Sequence, residues 1–187
     1  NDFITKIVEL NKKIFIISGN HDSEQRIAYF SSLIKNVGVY TSNVFKGTTE
    51  CIQIEDEYGL INIHLLPFVK PYVVRKYYEF DNINTYQDAL KLVLDKSNIN
   101  KKERNILVAH QFITGSLTCD SEEMAIGGLD NIDANVFDMF DYVALGHIHK
   151  LDYNQEENQN IVYPGSTVSL GFDELGPHGM IVGDLEK

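Results

Sequence analysis

Tyr142-Val143-Ala144-Leu145-Gly146-His147-Ile148-His149 is the stretch whose reading decides the fold. Its opening residues form an uninterrupted apolar run of the kind carried by a strand buried on both faces, and Gly146 ends that run just before the two histidines. In extended chain, residues two apart face the same side and lie roughly 6 to 7 Å from one another. That separation suits two metal ions about 3.5 to 4 Å apart, with one imidazole on each. Gly146 is read here as the point where the backbone turns so that both rings point inward.

The same arrangement recurs on either side. Ile14-Phe15-Ile16-Ile17 is an apolar run closed by Ser18-Gly19 and followed by Asn20-His21-Asp22, and Ile106-Leu107-Val108-Ala109 ends in His110. In open α/β sheets the carboxyl ends of the strands meet along one rim, where ligands bind. Asn20, His110, His147 and His149 are therefore expected to gather as metal ligands. Mixed nitrogen and oxygen donors favour Mn, Fe or Zn over Ca or Mg. All these donors are neutral, whereas a two-cation centre normally includes carboxylates that screen and bridge the ions. The donor set thus reads as part of a centre, and the chain as most of a domain lacking its first strands.

His21 adjoins Asn20 and is read as a general acid for the leaving oxygen of a phosphodiester, or as a residue that orients Asn20. Asp22, with Gln25 three residues on, reads as the cap of a helix over about residues 23–35, whose free N–H groups could meet a phosphate. Such a constellation would hydrolyse phosphate esters by in-line attack of a metal-bound hydroxide.

Elsewhere, Phe3, Ile4, Ile7, Val8 and Leu10 have helical spacing. Residues 51–54 and 60–66 read as strands around Tyr58-Gly59, with His64 on the polar side. Thr85 and Asp88 cap a helix carrying Tyr86, Ala89, Leu90, Val93 and Leu94 on one face, and Asp133 is the expected cap of a helix over 134–140. Residues 154–160 suggest a hairpin tip or exposed loop, and 179–185 a closing strand.

With 187 residues, 43% of them hydrophobic, the chain is long enough for one domain with a sizeable core. It has no apolar run of the roughly 18 to 20 residues that a membrane span needs, and no signal-peptide pattern at its start, so a soluble cytoplasmic protein is expected. Cys51 and Cys119 have no partner spacing and read as free thiols. A net charge of −11 rules out nucleic-acid binding through a general basic excess, although bound cations could supply a positive field at a phosphate. The basic and aromatic stretch from Lys70 to Tyr78 is read as a surface segment, with nucleic-acid contact or a subunit interface as alternatives.

The segments Gly19-Asn20-His21-Asp22 and Gly146-His147-Ile148-His149 are metal-binding signatures of the calcineurin-like metallophosphoesterases. Within that superfamily the chain resembles the SbcD-like, Mre-type DNA repair nucleases over essentially all of its length. The resemblance rests on Gly19 to Ser23 with Arg26, Ala109-His110-Gln111-Phe112 with Gly115, Ser121-Glu122, Gly127-Gly128-Leu129-Asp130, Asp141 to Lys150, and Tyr163-Pro164-Gly165-Ser166. It implies a four-layer α/β/β/α metallophosphoesterase domain over 1–187, with two divalent metal ions, usually Mn. It also implies exonuclease action on duplex DNA ends and endonuclease action on single strands or hairpins. By position, Asn20, His110 and His147 look like ligands of one ion, His149 like a ligand of the other, and His21 like the catalytic histidine. Family members act as homodimers with an SbcC-like coiled-coil ATPase and carry a capping domain. The family's D-x-H and G-D-x-x-D motifs are not found in this sequence, nor is the capping domain, and Lys150-Leu151-Asp152 replaces a basic residue followed by Pro-Gln. The chain alone is therefore expected to bind metal partially and to show little or no nuclease activity. A phosphatase acting on a phosphoprotein or nucleotide, and a non-catalytic binding scaffold, are the competing readings.

Overall fold

The computed structural model describes residues 2–114, 116, 131–153, 160–169, 171, 174 and 176–185. Gly115, Cys119, Ser121-Glu122, the Gly127–Asp130 segment and residues 154–159 of the expected hairpin tip lie outside the described residues.

The apolar runs become strands of two sheets. In the smaller sheet, β1 (Ile14–Ile16) pairs in parallel with β2 (Val39–Thr41). The larger sheet opens with the antiparallel hairpin of β3 (Glu50–Asp56) and β4 (Gly59–Leu66), turned at Gly59 with φ 108°. Next to β4 lie β5 (Arg104–His110) and β6 (Tyr142–Gly146), both parallel to it in direction. The short β7 (Asp152–Tyr153) and β8 (Ile161–Tyr163) complete the order β3-β4-β5-β6-β8-β7. Because β5 and β6 run in parallel with His110 opposite Gly146, their carboxyl ends reach one rim together.

Strand alternation divides the core in two. Leu66, Leu107, Ala109, Val143 and Leu145 face one side, where α4 (Pro71–Tyr78), α5 (Tyr86–Lys96) and a 3₁₀ turn over Ala134–Phe137 contribute Val74, Leu90, Val93, Leu94 and Phe137. Ile52, Ile61, Ile63 and Leu65 face the other side and pack against Phe15, Ile17 and Tyr40 of the smaller sheet. Beyond that sheet lie α1 (Asp2–Glu9), α2 (Glu24–Ala28) and α3 (Ser31–Ile34), whose Ile4, Val8, Ile27 and Ile34, with Phe30 between α2 and α3, line an apolar cavity with Ile16 and Val39. The layers are thus helix, sheet, sheet, helix, as expected.

The layers are unequally packed. Helix α5 buries Ala89, Leu90, Val93 and Leu94, whereas α1, α2 and α3 have no buried residue. The apolar run of β1 is only half-buried, because β2 is its one strand neighbour among the described residues. No helix of the described residues is long and apolar enough to cross a membrane.

Several local expectations need correction. The helix after Asp22 is not continuous: α2 stops at Ala28, Phe30 has φ −103° and ψ 8°, and a 3₁₀ turn over Lys35–Val37 ends at Gly38 with φ 83°. The 134–140 helix shortens to the 3₁₀ turn, and Asp133 caps it without a side-chain hydrogen bond. Residues 179–185 form no strand; Leu185 instead packs at the inter-sheet core and its carbonyl accepts from Arg104 (3.5 Å). The Lys70–Tyr78 stretch is largely α4, with Pro71 at its first turn and Tyr72 and Tyr77 exposed. Cys51 is an exposed free thiol.

His64 does lie opposite Ile61 and Ile63, but that face is covered, leaving the residue 2% exposed. Asn105 donates its amide hydrogens to the carbonyls of Asn100 (2.9 Å) and Glu103 (2.6 Å), so its Oδ1 accepts from His64 Nε2 (3.2 Å). Nδ1 then accepts from the Thr49 hydroxyl (3.1 Å). Burial lowers the His64 pKa, with the Asn105 hydrogen bond opposing, so this is a neutral, satisfied core histidine.

Candidate metal centre

Asn20 and His21 are presented by a tight loop at the exit of β1. The Gly19 N–H donates to Asp22 Oδ2 (2.8 Å), and the Asp22 N–H returns to the Gly19 carbonyl (3.3 Å). Asp22 therefore closes the loop, and Ser23 takes the expected cap role, its Oγ accepting from the Arg26 N–H (3.4 Å). The Phe68 N–H donates to the Ser18 carbonyl (2.9 Å), which ties this exit to that of β4.

His110, at the end of β5, sits in a slot made by two glycines. A Cβ on Gly19 would lie 2.9 Å from His110 Cε1, and a Cβ on Gly146 would lie 2.7 Å from His110 Nδ1. The glycines of both histidine-bearing motifs thus make room for one imidazole. This corrects the expected role of Gly146, whose φ is not positive; His147 itself takes φ 104°. So large a positive φ on a residue with a Cβ is backbone strain, here located in the site.

The side chains come together as expected. Asn20, His21, His110, His147 and His149 line one cavity of about 160 Å³, with Pro164, Gly165 and Ser166 on its wall. His110 Nε2 lies 2.9 Å from Asn20 Oδ1, and the rings of His110 and His147 are 5.2 Å apart, centre to centre. Phe68 is stacked on His147 at 6.5 Å and meets His110 edge-on at 5.9 Å, while Phe112 flanks His147 at 6.3 Å.

These observations fit a divalent cation. Two donor atoms, each roughly 2.0 to 2.2 Å from one ion and at right angles, lie about 3 Å apart, as the Asn20 oxygen and His110 nitrogen do. The His110 pKa falls to about 4, chiefly through burial and then through His147, with His21 and His149 adding and Asp22 opposing. A neutral imidazole is the form that ligates metal. The cradle is partial, because among the described residues no group of three or more His, Cys, Asp or Glu side chains could hold an ion by itself.

The Tyr163-Pro164-Gly165-Ser166 turn buttresses the site. Gly165 has φ 75°, and a Cβ there would lie 2.6 Å from the His149 carbonyl oxygen and 2.9 Å from the Leu151 nitrogen. The Ser166 N–H donates to that same carbonyl (2.8 Å). Tyr163 Oη donates to the Gln111 carbonyl (2.7 Å) and accepts from the Ile113 N–H (3.0 Å), fixing the chain just after His110.

One residue was missed by sequence reasoning. His149 Nδ1 pairs with Glu174 Oε1 (2.9 Å), and Glu174 is only 3% exposed. No spacing rule connects residues 25 apart in this way. The signal that could have found it was chemical: a neutral donor set with an acidic residue downstream of the Pro164-Gly165-Ser166 turn.

A family model described as calcineurin-like phosphoesterase matches residues 1–151. That span includes Asn20, His21, His110, His147 and His149, whereas Gly165 and Glu174 lie beyond it. The chain is also similar to the SbcD component of the nuclease SbcCD from Staphylococcus epidermidis (strain ATCC 12228 / FDA PCI 1200), with 34% identity over 185 residues. The similarity covers 96% of this chain and 48% of that protein, so the chain spans about half the length of its relative.

Proposed function

Because the chain belongs to the calcineurin-like phosphoesterases, we propose that it is the nuclease part of an SbcD-like DNA repair and recombination enzyme, hydrolysing phosphodiesters with the help of two divalent cations, preferentially Mn. The observation that carries this reading is the Asn20–His110 donor pair, 2.9 Å apart and seated between Gly19 and Gly146, with His147 and His149 lining the same cavity. Asn20, His110 and His147 would hold one cation and His149 the other. When bound, the cations supply charge neutralisation at the phosphate and activation of water.

The chain's own residues do the rest. His21 is exposed at the cavity and delivers a proton to the leaving oxygen. Phe68 and Phe112 exclude water from the sides of His147. With a net charge of −11, the grip on DNA relies on the cations and on local groups such as Lys70, Arg75 and Lys76, which border exposed Tyr72 and Tyr77. A homodimer with an SbcC-like coiled-coil ATPase supplies the remaining DNA contacts.

Among the described residues that line the cavity there is no carboxylate, and Glu174 bonds to His149 without lining it. Residues 1–187 by themselves are therefore expected to bind Mn weakly and to cleave DNA slowly. Mn binding followed by electron paramagnetic resonance, together with cleavage of hairpin, single-stranded and duplex DNA, tests the proposal. Weak binding with slow, Mn-dependent DNA cleavage that His21→Ala abolishes is expected. Fast cleavage by the chain alone would refute the incomplete centre, and preference for a phosphoprotein or a free nucleotide over DNA would refute the nuclease assignment.

A further inference from the structure

Glu174 stands behind the cavity in an environment that an ordinary surface carboxylate does not have. It is 3% exposed, and both of its carboxylate oxygens are engaged: Oε1 with His149 Nδ1 (2.9 Å) and Oε2 with the Ser166 hydroxyl (3.1 Å). Its backbone is held as well, since Ser169 Oγ donates to the Glu174 carbonyl (3.0 Å) and also meets His178 Nε2 (2.9 Å). His178 Nδ1 in turn bonds the Ser166 carbonyl (2.9 Å). Ser166, Ser169 and His178 are thereby tied together around a buried acid aimed at one particular imidazole nitrogen.

We propose that Glu174 is a positioning residue for His149, its carboxylate holding the imidazole as the Nδ1–H tautomer so that Nε2 carries the lone pair offered to a cation. The inference rests on the metal-centre reading above. A carboxylate oxygen can only accept, so a neutral His149 must place its hydrogen on Nδ1. The ring is then fixed in orientation by Glu174 on one side, while the Ser166 N–H and Gly165 fix the backbone at the His149 carbonyl on the other. The charge matters too. The described donors lining the cavity are neutral, and Glu174 would set a negative charge one imidazole behind a bound cation, raising the basicity of the ligating nitrogen.

A mere loop anchor would use the same hydrogen bonds to Ser166 and Ser169, so the test must separate anchoring from ligand tuning. Nitrogen-15 NMR of the metal-free chain at a pH of about 8.5, above the ordinary imidazole range, reads the His149 tautomer directly. The unsubstituted chain is expected to show Nδ1–H; finding Nε2–H would overturn the proposal without any mutation. Mn titration then compares Glu174→Ala, Glu174→Gln and Ser169→Ala with the unsubstituted chain. Glu174→Ala is expected to weaken Mn binding about 10- to 100-fold and release the tautomer, since outer-shell partners carry effects of that size. Glu174→Gln keeps an acceptor for Nδ1–H, so it retains the tautomer and loses less affinity. Ser169→Ala, which removes a hydrogen bond from the same segment, leaves affinity unchanged. Unaltered Mn affinity in Glu174→Ala, or an equal loss in Ser169→Ala, would overturn the positioning role while leaving the metal centre intact. Failure of the unsubstituted chain to bind Mn at all would overturn the metal reading together with this inference.

Discussion

Gly146→Ala isolates the packing on which the candidate centre depends. The new Cβ would stand 2.7 Å from His110 Nδ1, against roughly 3.5 Å for an ordinary contact, so the ring must move by about 0.8 Å. It has nowhere to go. Gly19 already closes the far side, where an added Cβ would lie 2.9 Å from the ring, and His147 and Phe68 flank it at 5.2 and 5.9 Å. Overpacking of this kind costs about 1 to 3 kcal/mol. A ligand displaced by about 0.8 Å also exceeds the roughly 0.2 Å tolerance of metal coordination, so a loss of at least about tenfold in metal affinity follows. Thermal unfolding with and without Mn reads both effects. At a metal concentration one hundred times its dissociation constant, the unsubstituted chain gains about 2.7 kcal/mol, and a site tenfold weaker gains only about 1.4 kcal/mol. The mechanism has its own control in His110→Ala, which removes the ring. In that background Gly146→Ala should be harmless, or stabilising by about 0.4 to 1 kcal/mol through the unfolded chain. An equal destabilisation with and without the His110 ring would refute the steric argument, as would Mn affinity unchanged by Gly146→Ala.

Other consequences are open to measurement. Gly165→Ala combines φ 75° with a Cβ 2.6 Å from the His149 carbonyl oxygen, so denaturant unfolding should show a loss of about 1 to 3 kcal/mol together with weaker Mn binding; a neutral substitution would contradict the buttress. The folded-state pKa values of His64 and His110 lie below the ordinary 6.5, that of His110 at about 4, so the unfolded chain binds more protons once the pH drops below 6.5. Stability of the metal-free chain should therefore be full above about pH 6.5 and decline already between 6.5 and about 5, before most carboxylates titrate; a urea midpoint constant over that window would exclude the buried neutral histidines. Amide hydrogens of α1, α2 and α3, which have no buried residues, should exchange well before those of β4, β5 and β6, and uniform protection across the layers would show that the two halves unfold together.

The strand ends that carry the candidate ligands were legible from local pattern because strands packed inside the fold read as apolar runs, and Gly or Ala immediately precedes each ligand segment. Residues 14–17, 106–109 and 142–145 needed no tertiary information to be read as strands, nor did Thr85 and Asp88 as a reciprocal helix cap, which the structure bears out. His64 shows the limit. Alternation assigned its face correctly, but whether that face meets water depends on Phe140, Thr49 and Asn105, which meet the ring from elsewhere in the chain.

Residue types, their order and the strand ends they follow were thus enough to bring Asn20, His110, His147 and His149 to one rim, and the resemblance of their motifs to a known family supplied the phosphoesterase fold. Tertiary structure alone decided that Gly19 and Gly146 clear space for the ring of His110, that the positive φ falls on His147, that Asp22 closes its loop, and that Glu174 reaches His149. The reason is physical. Secondary structure repeats along the chain with a short period, whereas a close approach between two side chains from distant segments has no period and exists only once the strands have been packed side by side.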